Sequence, residues 1–141
     1  MSRPKILLDT GPLVALLSKS DSARSWTLEQ FGTHSAPFLS CEAVLSEACF
    51  VLRRDGQDAS GVLGLLDRGV IRIGMSLTEE ASAVRKLFEK YGDLPTSLAD
   101  ACLIRMSELY DPCLVLTLDR DFHVYRRRGR QTIPLLRPSL R

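Results

Sequence analysis

No apolar run in this chain approaches the roughly 20 residues that a bilayer-crossing helix needs, so no membrane span is expected. The apolar stretch at the start, Ile6-Leu7-Leu8, is stopped by Asp9 and is too short for the core of a signal peptide. Cysteine is equally unhelpful as a framework. Cys41, Cys49, Cys102 and Cys113 are scattered among apolar neighbours with no Cys-x-x-Cys pair, as reduced core thiols are. The two histidines, His34 and His123, are not placed to complete a zinc site. There is no convincing Ser/His/Asp triad, no phosphate-binding glycine loop, no repeat and no low-complexity segment.

What remains is ordinary globular material. At 141 residues the chain fits one domain, spanning 1–141, and 45% hydrophobic against 26% charged residues excludes a disordered tail. A soluble cytoplasmic protein is the default expectation. Net charge is only +2, but Arg126, Arg127, Arg128, Arg130, Arg137 and Arg141 crowd the C-terminus. Such a run suits a polyanion, and equally suits a solvated face.

The patterning alternates strands with helices. Pro4–Leu8 reads as a buried strand, followed by a helix that Pro12 opens. A second helix is expected over Ala23–Phe31 and a short strand over Pro37–Ser40. Ser40 is then expected to cap a helix over Cys41–Arg54, closed by Asp55-Gly56. Further helices are expected over Asp58–Arg68, from Thr78 to Tyr91 and from Ser97 to Leu109. Val70–Ile73 and Cys113–Leu118 read as strands, with Thr132–Leu136 as a last one. This is an α/β fold with a mainly parallel sheet, in which ligands bind beyond the carboxyl ends of the strands.

Four acids stand out against this frame. Asp9 and Asp119 each leave a buried strand at its carboxyl end; Asp9 can equally begin a turn or cap the next helix. Glu47 has Ala43, Val44, Phe50 and Val51 as helical neighbours and so is expected on the apolar stripe, where an unpaired charge is costly. A distant arginine or a metal would relieve it. Asp100 lies in a helix's first turn, where Ser97-Leu98-Ala99-Asp100 also reads as a capping box. Asp121 reads as the start of a short helix.

Carboxylate oxygens without thiolate or imidazole suit Mg²⁺ or Mn²⁺. Clustered acids repel unless cations or protons neutralise them. Divalent ions in such a cluster can activate water and stabilise the leaving oxygen of a phosphodiester.

Four blocks now carry a resemblance to a known family: Leu7-Leu8-Asp9-Thr10-Gly11-Pro12, Ser46-Glu47-Ala48, Leu94-Pro95-Thr96-Ser97-Leu98-Ala99-Asp100-Ala101, and Leu116-Thr117-Leu118-Asp119-Arg120-Asp121-Phe122. In order and spacing they resemble PIN domains, and more narrowly the VapC-type toxins of bacterial toxin–antitoxin pairs. The resemblance implies a three-layer α/β/α domain with a central sheet of about five strands and a metal-dependent endoribonuclease site. It carries the metal ligands onto Asp9, Glu47, Asp100 and Asp119, and a water- or phosphate-orienting hydroxyl onto Thr117. Thr10 occupies the small polar position after the first acid. The implied partners are RNA, an antitoxin protein and a second copy of the chain in a two-fold dimer.

Arg126, Arg127 and Arg128, close in sequence to Asp119, are expected as a basic rim holding the RNA backbone; the bland reading has them solvated or paired with Asp111 or Asp121. Other readings stay open: a PIN-type nuclease that matures RNA or cuts DNA, or an RNA-binding module without catalysis. A phospho-receiver needs paired acids after its first strand and a late lysine, and a haloacid-dehalogenase-like phosphatase needs an Asp where Gly11 stands; both patterns are absent.

Overall fold

A computed structural model describes residues 3–139. Arg141 of the C-terminal arginine set lies outside the described residues. The sheet of five strands has the order β3-β2-β1-β4-β7, and every pairing in it is parallel. Its strands are β1 (Lys5–Leu8), β2 (Phe38–Ser40), β3 (Ile71–Ile73), β4 (Cys113–Leu116) and β7 (Leu135–Leu136). Helices α1 (Thr10–Leu17), α2 (Arg24–Thr33), α3 (Glu42–Arg54), α4 (Ser60–Asp67), α5 (Leu77–Lys90) and α6 (Leu98–Leu109) flank it. This is the three-layer α/β/α arrangement expected from the sequence.

The central strands are apolar on both faces because helices cover both. Leu7 and Leu8 of β1 and Val115 and Leu116 of β4 are fully buried. Burial of a side chain of this size stabilises by about 1.5–3 kcal/mol, which explains why the middle of the sheet is so uniformly aliphatic. From β1 the chain steps to β2 and β3 on one side, then crosses to β4 on the other. The order therefore reverses between β1 and β4, and a crevice opens beyond their carboxyl ends. The register places Leu8 opposite Leu116, and Asp9 N donates to Leu116 O at 3.0 Å.

Several expectations are corrected. Ser40 does not cap α3: the cap position is Cys41, which makes no side-chain capping bond. Ser40 stays in β2, buried, and its hydroxyl donates to Leu8 O across the strand pair at 2.9 Å. Strand β4 ends at Leu116 instead of Leu118, because Leu118 turns out to pack on Gly11. The last strand splits. Gln131–Thr132 (β6) pairs antiparallel with Arg126–Arg127 (β5) in a separate hairpin, and only Leu135–Leu136 joins the sheet. Among the described residues, no helix is long and apolar enough to cross a membrane.

Candidate active site

Asp9 is where β1 hands over to α1. It is the N-cap of that helix, its Oδ1 accepting from Thr10 N at 2.8 Å, so the turn reading and the site reading coincide. Its Oδ2 accepts from the Thr117 hydroxyl at 2.7 Å, and Thr117 Oγ1 in turn accepts from Asp119 N at 3.0 Å. Thr117 is fully buried and ties the first acid to the last. The two turns can approach because Gly11 has no Cβ; one built there would stand 3.2 Å from Leu118 Cβ.

Asp100 enters from the first turn of α6 with the capping box that its sequence suggested. Ser97 Oγ accepts from Asp100 N at 3.0 Å, and Asp100 Oδ2 accepts from Ser97 N at 3.1 Å. The same Oδ2 accepts from the Tyr125 hydroxyl at 3.2 Å. Asp119 caps a short 3-10 helix, Arg120–Val124, with its Oδ1 accepting from Asp121 N at 2.8 Å. Asp121 therefore starts that helix and Asp119 caps it.

Glu47 reaches the site by a different route from the one its helical neighbours implied. The buried stripe of α3 is Val44, Leu45, Ala48 and Leu52. Glu47 and Phe50 lie off it and are exposed. Burial thus places no demand on Glu47; what places it at the site is the Thr10 hydroxyl, which donates to Glu47 Oε2 at 3.0 Å.

These acids meet. Asp9, Glu47, Asp100 and Asp119 line one open cavity of about 410 Å³ with Thr10, Gly11, Ser97 and Leu118. Among the described residues no lysine, arginine or histidine lines it, and none of their ion pairs includes any of the four. The electrostatic result shows on Asp9. Burial raises its carboxyl from 3.8 to about 6; Asp100 and Asp119 push the same way, against the hydrogen bonds from Thr117 and Thr10.

The donor set is hard oxygen throughout and short of positive charge, which fits a divalent cation of the Mg²⁺ or Mn²⁺ kind. Among the described residues no three Asp, Glu, His or Cys side chains are gathered closely enough to hold one ion between them. Each acid turns at least one oxygen to a protein donor.

The arginines fall elsewhere. Arg127 is buried, with Nη2 3.0 Å from Asp111 Oδ1 and Nη1 donating to Cys113 Sγ at 3.3 Å. Arg128 pairs with the other Asp111 oxygen at 3.5 Å, and its backbone N–H donates to Glu108 Oε2 at 2.6 Å. Arg126 gives its Nη1 to the carbonyls of His123 and Tyr125. Glu108 and Asp111 belong to the far end of α6, so Arg127 and Arg128 lie on the order of 12 Å along that helix from Asp100. Two of the three arginines expected at a basic rim are thus engaged with acids at that end of the helix, and Arg126 with carbonyls of its own segment. After the 3-10 helix the chain doubles back along α6, and the guanidinium of Arg127 is spent inside the protein.

Tyr125 was not singled out from the sequence. It is buried, stacks edge-on against Tyr91 and Phe122, and shares its hydroxyl between Thr96 Oγ1 (3.0 Å) and Asp100. Burial, with Asp100 and Asp119 nearby, pushes its phenol up to about 12 against the Thr96 hydrogen bond, so it is protonated at neutral pH.

A parallel sheet with an acid at each of the two strand ends flanking its switch point, and two more from adjoining helices, defines a carboxylate-pocket α/β domain. The chain belongs to the PIN domain family, whose model matches residues 6–128. In fold it is similar to the crystal structure of VapC20 from Mycobacterium tuberculosis, a sarcin–ricin loop cleaving toxin. The TM-score is 0.72 at 18% identity, over 85% of this chain and 94% of that one. Curated protein sequences give no significant match.

Proposed function

We propose that this chain, as one domain spanning 1–141, is a divalent-metal-dependent endoribonuclease and the toxin of a type II toxin–antitoxin pair. The observation that carries the reading is the cavity at the β1/β4 switch point, where four acids meet with no cation from the described residues among them. Asp9, Glu47, Asp100 and Asp119 would hold Mg²⁺ or Mn²⁺. Bound there, such an ion supplies Lewis-acid stabilisation of phosphodiester charge and makes water a better nucleophile.

The chain's own groups do the positioning. Thr117 fixes the Asp9 carboxylate from inside, the Ser97 cap fixes Asp100, and Thr10 brings Glu47 to the rim. Thr10, at that rim, is a candidate for contact with the substrate backbone. RNA is the proposed substrate on two grounds: membership of the PIN family, and the fold shared with VapC20, itself described as cleaving the sarcin–ricin loop. An antitoxin partner, a two-fold homodimer and a cytoplasmic location belong to the same reading.

Purified protein with Mn²⁺ or Mg²⁺ is expected to cut RNA, structured or single-stranded, in preference to DNA of matched sequence. Asp9→Asn, Asp100→Asn and Glu47→Gln should each lower the rate by roughly 100-fold or more, since several kcal/mol of charge stabilisation depends on the ligand set. Cleavage of DNA alone would move the protein to a different nuclease role. RNA binding with no cleavage would leave only an RNA-binding module.

A further inference from the structure

Asp100 has two oxygens, and they are not equivalent. Oδ2 already accepts from Ser97 N and from the Tyr125 hydroxyl, whereas Oδ1 makes no hydrogen bond among the described residues. A carboxylate with one oxygen held by two donors cannot rotate freely, and Oδ1 is the oxygen left without a donor on an acid that lines the cavity. The donor from Ser97 comes with the helix end and is available to any capping box. The donor from Tyr125 is long-range, arriving from the segment after β4, six residues beyond Asp119.

That segment is built to deliver it. Asp119 caps the 3-10 helix, Phe122 anchors the helix in the core, and Tyr125 follows directly with its ring wedged edge-on between Phe122 and Tyr91. With the ring packed against both, its hydroxyl meets Asp100 Oδ2 at 3.2 Å and Thr96 Oγ1 at 3.0 Å. One short hook therefore sets two acids at once: its first residue is Asp119, and its last holds Asp100.

We propose that Tyr125 is a positioning residue for the cation site, pinning Oδ2 of Asp100 so that Oδ1 alone is offered to the ion. The inference rests on the reading of Asp100 as a ligand given above. Partners hydrogen-bonded to a metal ligand typically change metal affinity by about 10- to 100-fold when removed. A buried tyrosine that merely packs would contribute to stability and not to ion affinity.

The test is Mn²⁺ binding by calorimetry to wild type, Tyr125→Phe, Thr96→Val, Tyr110→Phe and Asp100→Asn, alongside cleavage at rising Mn²⁺. Phe keeps the aromatic packing and removes only the hydroxyl. Tyr110→Phe controls for loss of a tyrosine hydroxyl, since that group donates to Gly74 O away from the site. The expected result is about tenfold weaker Mn²⁺ binding in Tyr125→Phe, with cleavage largely regained at saturating Mn²⁺. Thr96→Val should show a smaller loss of the same sign, and Tyr110→Phe no change. Wild-type affinity in both Tyr125→Phe and Thr96→Val, with Asp100→Asn still failing to bind, would overturn the positioning role and leave the metal reading intact. Absence of Mn²⁺ binding by wild type would overturn both.

Discussion

The two ends of α6 are both crowded with charge and are organised in opposite ways. At its carboxyl end Arg105 bonds Glu80 at 2.6 Å and Glu108 at 3.2 Å, while Arg127 and Arg128 share Asp111. Acids and bases there are matched, and the network clamps the β5–β6 hairpin to the helix. At its amino end Asp100 meets Asp9, Glu47 and Asp119 with no base among the cavity's lining residues. Matched charge is a way of joining segments. Unmatched charge of one sign is costly to keep, and on the proposed reading a cation from outside the chain completes the balance there.

This contrast predicts opposite outcomes for neutralising substitutions. At the acid end, Asp9→Asn removes activity and yet should stabilise the metal-free protein. The sign follows from Asp9's carboxyl, which is raised from 3.8 to about 6 on folding. A raised carboxyl stabilises the fold below about pH 4, where it is protonated in both states. That stability is lost as pH rises through 6, where the folded protein must ionise a buried group. The shift corresponds to about 3 kcal/mol at neutral pH, so Asp9→Asn should raise the metal-free Tm by roughly 5–10 °C at pH 7.5. The gap should close below pH 4, and asparagine retains the capping role at the start of α1. Thermal melts from pH 4 to 8 in chelator check this; a variant less stable than wild type at pH 7.5 would mean that the Thr117 hydrogen bond outweighs the cost of burying the charge.

At the matched end the sign reverses. Arg127→Gln should leave cleavage at saturating metal close to wild type while costing about 2 kcal/mol of stability, since charged hydrogen bonds to Asp111 and Cys113 disappear. Asp111 is half exposed and is resolvated when its partner leaves, which keeps the loss below that of a fully buried pair. Melting of the variant gives the loss. The smallest effect expected is on RNA affinity: its salt dependence should not change, because Arg127, paired with Asp111, neutralises no phosphate and so releases no counterion. A flatter slope would restore this arginine to the substrate surface.

The contrast was only half visible in the sequence. Strands β1 and β4 announce themselves as short aliphatic runs, and an acid directly after each is legible because strand ends in a parallel sheet converge on one edge. The Ser97–Asp100 capping box could likewise be read directly, its spacing being its geometry. Glu47 lines the cavity without lying on the buried stripe of its helix, since helical neighbours do not reveal which apolar residues are buried; Phe50 is 68% exposed. For the arginines, proximity in sequence to Asp119 says nothing of direction. Arg128 and Gly129, both with positive φ, reverse the chain into a hairpin that lies along α6. Tyr125 carried no signal, because the partner of its hydroxyl lies 25 residues away. Ser40 looked like a helix cap from its own neighbours, and only pairing of β2 with β1 shows where its hydroxyl goes.

The claim on which the rest depends is that the unmatched acids form a cation site. Its most direct test is the Tm of wild type and of Asp100→Asn during titration with Mn²⁺ after exhaustive chelation. Binding to the native state alone raises stability by about 2.7 kcal/mol at a hundred times Kd, so wild type should gain on the order of 5–10 °C. Asp100→Asn, already relieved of part of the repulsion, should start higher and gain little. Equal shifts in the two proteins, or none in wild type at millimolar Mn²⁺, would contradict the account.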